Sequence, residues 1–189
     1  MGRSLSDLRY WLIKKGWRDP HDLTTLKGSI WTKSFEGSVQ AQADQLLNKF
    51  EQLSFAGDDN RLDLSDLRTY TLDDHQTQEI DDAISLQCVD QENWIWIHIA
   101  DPARLIPVDS PLDLEARARA TSLYLADGLR PMLPLSVAAD VLSLRAGRRC
   151  AALSVAVVLD ESGCIAGTRV CRTWIRPCYR LTYEDGDEL

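Results

Sequence analysis

The sequence contains no lysine after Lys49, no CxxC pair, no internal repeat, no low-complexity tract and no apolar run near the ~18 residues that a membrane helix needs. Its longest apolar stretch, Cys150 to Leu159, holds Ser154 in its middle. The chain therefore reads as soluble, with no membrane partner. The N-terminus, Met1-Gly2-Arg3-Ser4-Leu5-Ser6, has no apolar signal core, so secretion is not indicated, and its formal fit to a myristoylation pattern is weak. Five cysteines (Cys88, Cys150, Cys164, Cys171 and Cys178) form an odd set without a chelating pair, which argues against a disulfide framework, a disulfide-linked partner and a structural zinc site. Three of them recur every seven residues, but that spacing alternates faces along a strand, so they do not share a ligand sphere. Reduced thiols in a cytoplasmic setting are the expectation.

What is present is enough for one good core, or one domain with an appendage: 189 residues, 44% of them hydrophobic. The net charge of −8 is unevenly spread. Residues 58 to 92 are strongly acidic, whereas Arg145, Arg148, Arg149, Arg169, Arg172, Arg176 and Arg180 make the C-terminal third basic, ahead of an acidic end. Because every basic residue after Lys49 is arginine, whose planar fork suits bidentate phosphate contact, arginine-bearing surfaces beside an acidic pocket would suit a polyphosphate substrate. Ordinary surface ion pairing accounts for any single arginine equally well.

The acidic region is densest at Asp73-Asp74-His75-Gln76-Thr77-Gln78-Glu79-Ile80-Asp81-Asp82-Ala83, with five carboxylates in ten residues. Two carboxylates held ~4 Å apart repel by roughly 4 kcal/mol at an effective dielectric of about 20. A solvated loop would splay them apart. Here Ala83-Ile84-Ser85-Leu86 reads as the start of a strand that fixes Asp81 and Asp82 at its mouth. A hard cation with oxygen ligands, Mg²⁺ or Mn²⁺, is the natural compensator.

Periodicity predicts a helix carrying Leu5, Leu8, Trp11 and Leu12, and a second one capped by Ser38 with Val39, Ala43, Leu46, Leu47, Phe50 and Leu53 on one face. The polar break Gly57-Asp58-Asp59-Asn60 sets a boundary between a helical region, 1–60, and the remainder, 61–189. Strands are expected over Arg68 to Leu72, Ala83 to Val89 and Trp94 to Ala100, with a turn at Gln91-Glu92-Asn93. A helix follows from Leu112 to about Leu125, with Pro111 in its first turn and Ser110 or Asp109 as cap, then a short helical piece near Val137 to Leu144. Two last strands, Ala151 to Leu159 and Gly167 to Trp174, complete an α+β fold: a mixed sheet with packed helices, preceded by a helical N-terminal region.

Several segments coincide in order: Arg61-Leu62-Asp63-Leu64, Asp73 through Ala83, Ile97-His98-Ile99-Ala100-Asp101-Pro102, Arg119-Ala120-Thr121-Ser122-Leu123-Tyr124-Leu125, Pro131-Met132-Leu133-Pro134 and Leu142-Ser143-Leu144-Arg145. Together they resemble the catalytic (RNB) domain of the ribonuclease II and ribonuclease R family of 3′-to-5′ exoribonucleases, from about Arg61 to Tyr183. The resemblance implies Mg²⁺-assisted hydrolysis of single-stranded RNA from its 3′ end, with release of nucleoside monophosphates. It places the family's four acidic positions on Asp73, Glu79, Asp81 and Asp82, with Asp73 and Asp82 as metal ligands, Asp81 assisting at the metal-water centre and Glu79 in support. Glu79 stands where the family has aspartate, and an extra methylene moves its carboxylate by more than about 1 Å. Asp74 falls outside the pattern. Tyr124 falls on the family's base-stacking aromatic, although helical spacing alone would make it core packing at a helix end.

His98 shares a face with Trp94 and Trp96 and reads as structural, not as a base. Asp101 either reaches the site or caps the next turn. The family's catalytic domain continues beyond the segment matching Leu181 to Asp185, so the resemblance implies a truncated, inactive metal-binding half. Two alternatives are a non-catalytic RNA-binding or regulatory remnant of the same scaffold, and a structural acidic loop in an unrelated α+β binding protein.

Overall fold

The computed structural model describes residues 11–12, 14–17, 28–50, 57–125 and 128–188. Of the helix expected around Leu5, Leu8, Trp11 and Leu12, Leu5 and Leu8 lie outside the described residues, as does Leu53 at the end of the next helix. That next helix is α1, Gly37–Lys49, and it buries Val39, Ala43 and Leu46 as its apolar spacing requires. It starts one residue before Ser38, after Glu36, whose side chain makes no capping bond.

Beyond a 3-10 turn at Asp58–Asn60 come β1 (Leu62–Asp63), β2 (Thr69–Asp73), β3 (Asp82–Val89) and β4 (Glu92–Ala100). Next are α2 (Pro111–Arg119), a small hairpin of β5 (Leu123–Leu125) and β6 (Gly128–Arg130), and a single π turn at Val137–Val141. The chain finishes with β7 (Cys150–Leu159), β8 (Ile165–Ile175), β9 (Pro177–Thr182) and a short α3 (Tyr183–Asp187). Seven strands form one mixed sheet in the order β1-β8-β7-β4-β3-β2-β9. The β1–β8 and β2–β9 pairs are parallel and the rest antiparallel, so the fold is the expected α+β class.

Two expectations were displaced. The β3–β4 turn sits on Asp90 and Gln91, both in left-handed conformation (φ 50° and 69°), as a two-residue hairpin demands; Glu92 and Asn93 pair with Val89 and Cys88 in the ladder. The helix expected to reach Leu125 stops at Arg119, where Ala120 turns left-handed at φ 61°. Tertiary bonds stop it: the Arg119 guanidinium is buried and donates to the carbonyls of Thr32, Ser34 and Pro131 as well as to Glu115. Beyond it Leu123–Leu125 pairs antiparallel with Gly128–Arg130 as β5 and β6. At the helix start, Ser110 is the cap, accepting from the Asp113 amide at 3.4 Å, while Asp113 accepts from the Asp109 amide at 2.7 Å.

One face of the sheet is packed. Ala83, Trp96, Ala152, Ala156 and Ile175 join Leu64, Ile80 and Leu144 in its core. A polar ladder runs through it: Ser85 Oγ to His98 Nε2 at 2.8 Å, His98 Nδ1 to Ser154 Oγ at 2.7 Å, and Ser154 Oγ to Thr173 Oγ1 at 2.6 Å. His98 is fully buried, and burial pushes its imidazole down to about 4, so it is a neutral structural group. A second core joins α1 to Leu105, Ile106, Leu112, Leu133, Val137 and Val141, so the helix before Arg61 shares its packing with segments far beyond it. The other sheet face leaves Ile84, Leu86, Ile97, Ile99, Leu153 and Val170 exposed. None of the described helices is long and apolar enough to cross a membrane.

Candidate functional site

The acidic run occupies one end of the sheet, where β2 and β3 part. Thr69 pairs with Ser85 and Tyr70 with Ile84; carried on in the same register, Asp73 would fall opposite Asp81. Pairing ceases before that point, and residues 74–81 open into a loop. The loop is tied down by its one apolar member. Ile80 is buried in the sheet core, its amide donates to Ser143 Oγ at 3.1 Å, and its carbonyl accepts from the Leu144 amide at 2.7 Å. Next in sequence, the Asp81 carbonyl accepts from the Ala100 amide at 2.8 Å, and Asp82 opens β3. Burying Ile80 therefore forces Glu79 on one side and Asp81 and Asp82 on the other to stay near the sheet end.

The electrostatics record this crowding. Asp73 is buried at the end of β2, and desolvation, then the charges of Asp82 and Asp81, raise its carboxyl above the usual range, against a smaller lowering by Arg180. Glu79 is raised by burial and by Asp81, with a hydrogen bond from Ser122 opposing. Asp82 is raised by burial and by Asp81. Asp73 Oδ2 and Glu79 Oε1 are buried oxygens without a hydrogen-bond partner. Such orphaned acceptors are costly, and oxygen-rich, mutually repelling carboxylates are the donor chemistry of a hard divalent cation. The residue types fit such an ion. Among the described residues, however, no three of the His, Cys, Asp and Glu side chains are gathered closely enough to hold one as they stand.

Asp74 lines the mouth of the loop but is more exposed than Asp73 and is engaged locally. Its side chain is more than half exposed and its Oδ1 accepts from the Gln76 amide at 2.8 Å, closing the first turn of the loop. Tyr124 does not pack in the core at a helix end: it lies on β5, is 74% exposed, and lines a cavity of about 430 Å³ with Gln76, Thr77, Gln78, Glu79 and Leu129. Partial burial and the charges of Glu79, Asp81 and Asp73 raise its phenol. Tyr124 thus stands across the cavity from the loop, within reach of its field.

Asp101 neither reaches the loop nor caps the following turn with its side chain. It accepts from Arg61 Nη2 at 2.6 Å. Three of the seven C-terminal arginines named from the sequence are likewise engaged in ion pairs: Arg145 and Arg148 with Asp140, and Arg149 with Asp63. Arg61, Arg104 and Arg149 also lie over the Trp174 ring, 4.4 to 5.4 Å from its centroid. Sequence reasoning missed the roles of Ser143, Ser122 and Arg180 around the loop. Ser143 and Ser122 are in segments that carried the resemblance, but no local pattern announces a partner 63 residues away.

The chain matches the RNB domain over residues 61–189. It is 42% identical to an uncharacterized ribonuclease of Synechocystis sp. and 40% identical to the chloroplastic/mitochondrial ribonuclease II of Arabidopsis thaliana, in each case over 94% of this chain but only 26% and 22% of the relative. The fold is similar to that of Mycoplasma genitalium RNase R in complex with ribose-methylated single-stranded RNA, with a TM-score of 0.69, 24% identity, and coverage of 89% of this chain and 27% of that one. The chain spans about a quarter of the length of these relatives.

Proposed function

Since the chain belongs to the RNB domain family, we propose that its acidic loop is the carboxylate half of a hydrolytic centre that shortens single-stranded RNA from the 3′ end, releasing nucleoside monophosphates with Mg²⁺ or Mn²⁺. The observation that carries this reading is the pair of buried, unpartnered oxygens, Asp73 Oδ2 and Glu79 Oε1, on two carboxyls whose proton affinity is raised by burial and by the neighbouring Asp81, with Asp82 acting on Asp73 as well.

Asp73 and Asp82 would hold the cation, with Glu79 supporting the arrangement from the partly buried wall of the cavity. When bound, a divalent ion supplies charge neutralisation at a phosphoryl oxygen and lowers the proton affinity of a bound water. Asp81, which is exposed and beside Asp82, would assist at the metal-water centre by accepting a proton from the water. The exposed ring of Tyr124 offers a stacking platform for the 3′-terminal base, a contact worth about 1–3 kcal/mol.

Two measurements test the reading. Titration of the chain with Mn²⁺ should show saturable binding that Asp73→Asn and Asp82→Asn each weaken. In a protein completed with the rest of the catalytic domain, RNA carrying a 5′ label should shorten progressively from its 3′ end with Mg²⁺, and Asp81→Asn should stop this while leaving RNA binding in place. Shortening that persists unchanged in EDTA would refute the metal-assisted reaction.

A further inference from the structure

The loop that carries the carboxylates is held at its far limb by Ser143 and Leu144, through Ile80. Its near limb, directly after Asp73, is held differently. Strand β9 runs parallel to β2, with Arg180 beside Thr71 and Thr182 beside Asp73. From that edge the Arg180 side chain reaches past the end of β2 and into the loop. Its Nη2 donates to the Thr77 carbonyl and lies 3.5 Å from the carbonyls of both Asp74 and His75. Three main-chain oxygens from four consecutive residues therefore converge on one guanidinium nitrogen. Besides this clamp, the limb has the turn closed by Asp74 itself.

The choice of acceptors is informative. Among the described residues Arg180 makes no ion pair: its attraction for Asp73 is the smallest of the influences on that carboxyl, and its hydrogen bonds go to neutral carbonyls. Electrostatically, a cation next to a cation-binding group is unfavourable, because it repels the ion the group must collect. A guanidinium in this place therefore needs another reason, and the clamp provides one. All three contacts are made by Nη2 at the tip of the side chain, a position that a lysine ammonium on its shorter stem does not reach. The cleft beneath it, about 690 Å³ in volume, is lined by Thr71, His75, Thr77, Ile80, Ser143 and Arg180, so both holds on the loop border the same space.

We propose that Arg180 is a positioning residue for the carboxylate site: by clamping the carbonyls of Asp74, His75 and Thr77 it fixes the limb that leaves Asp73, and so sets how tightly the loop takes a divalent cation. This rests on the metal reading above. It assigns no contact between Arg180 and the ion or the RNA.

The experiment is Mn²⁺ binding, followed by electron paramagnetic resonance of the free ion, on the full chain and on Arg180→Met and Arg180→Lys, with thermal melting of each. Loss of an outer-shell orienting group typically weakens metal binding by 10- to 100-fold, and about tenfold is expected for Arg180→Met. Arg180→Lys, which keeps the charge but not the reach of Nη2, is expected to bind more weakly than the wild type as well. A purely electrostatic role predicts the opposite sign for Arg180→Met, tighter binding, and no change for Arg180→Lys. A role in folding alone predicts a lower melting temperature with unaltered affinity in the folded range. Either of those results overturns the proposal. If Arg180→Met does not fold, Arg180→Lys decides between weaker and equal binding. If the wild-type chain shows no saturable Mn²⁺ binding, the metal reading falls and this inference with it; if the wild type binds and the variants equal or exceed it, only the inference falls.

Discussion

Replacing Asp73 by asparagine is expected to stabilise the metal-free chain while removing its stabilisation by a divalent ion. Asp73 is buried with one oxygen unpartnered, and its proton affinity is raised by desolvation and by Asp82 and Asp81. Two unit charges ~7 Å apart repel by about 2.4 kcal/mol at an effective dielectric of ~20. Solvent around the exposed Asp81 and Asp82, and the lost attraction to Arg180, reduce the net gain from neutralising Asp73 to about 1 kcal/mol. For a chain of this length that is a rise of about 2–4 °C in melting temperature.

The sign of the pH dependence follows from the raised proton affinity. The folded state holds the Asp73 proton more tightly than the unfolded one, so the associated stability is fully present below the ordinary value of 3.8 and is lost as pH rises through the raised one. The advantage of Asp73→Asn should therefore be present at pH 7 and shrink as the pH approaches 4. With free Mn²⁺ at 100 times its dissociation constant, the wild type should gain about 2.7 kcal/mol, and the variant much less, so that their order reverses. Thermal melts in EDTA and in Mn²⁺, at pH 7 and pH 4.5, provide the assay. A variant less stable than the wild type in EDTA at pH 7 would show that the carboxylates are not in destabilising proximity, and the case for an ion would lose its physical basis.

Three other perturbations have equally definite outcomes. Between about pH 6.5 and 4 His98 should cost stability as pH falls, because the unfolded imidazole takes a proton that the buried one refuses; urea titrations at pH 7 and pH 5 should show this in the wild type, whereas His98→Leu should lose the dependence and cost about 1–3 kcal/mol at pH 7 by orphaning the Ser85 hydroxyl and leaving Ser154 with Thr173 alone. Arg119→Met should destabilise by about 3–5 kcal/mol in the same titration, since it strips the partner from Glu115 and from three carbonyls around a buried guanidinium. Tyr124→Ala should leave the melting temperature nearly unchanged, given the exposure of the ring, yet weaken single-stranded RNA binding by about 1–3 kcal/mol in fluorescence anisotropy.

Five of the nine strands in the described residues were legible because their signal is local, whereas β1, β5, β6 and β9 were not read. Alternation along 82–89 and 92–100, and the apolar stripe at Val39, Ala43 and Leu46, put side chains on one face whatever else the chain does. The end of α2 was not legible, since it depends on where the Arg119 guanidinium finds carbonyls contributed by residues 32, 34 and 131. Helical spacing carried on through Tyr124 for the same reason, although that residue belongs to an exposed hairpin. Asp101 shows the limit from the other side. A carboxylate at a strand end has no local mark that distinguishes a site residue from the partner of Arg61, 40 positions earlier.

Alone, the sequence determined the α+β class and the density of carboxylates between Asp73 and Asp82, from which the expectation of a compensating cation follows. It did so because residue type, charge and short-range period are properties of neighbours in the chain. Only the tertiary structure decided which of those carboxylates are buried, that Asp74 closes a turn while Asp73 and Glu79 each keep an orphaned oxygen, and that Tyr124 faces them across a cavity. It also brought Arg180 and Ser143 to opposite limbs of one loop. Those facts depend on burial and on hydrogen bonds between segments 60 to 100 residues apart, whose free energy exists only once the sheet has closed around Ile80.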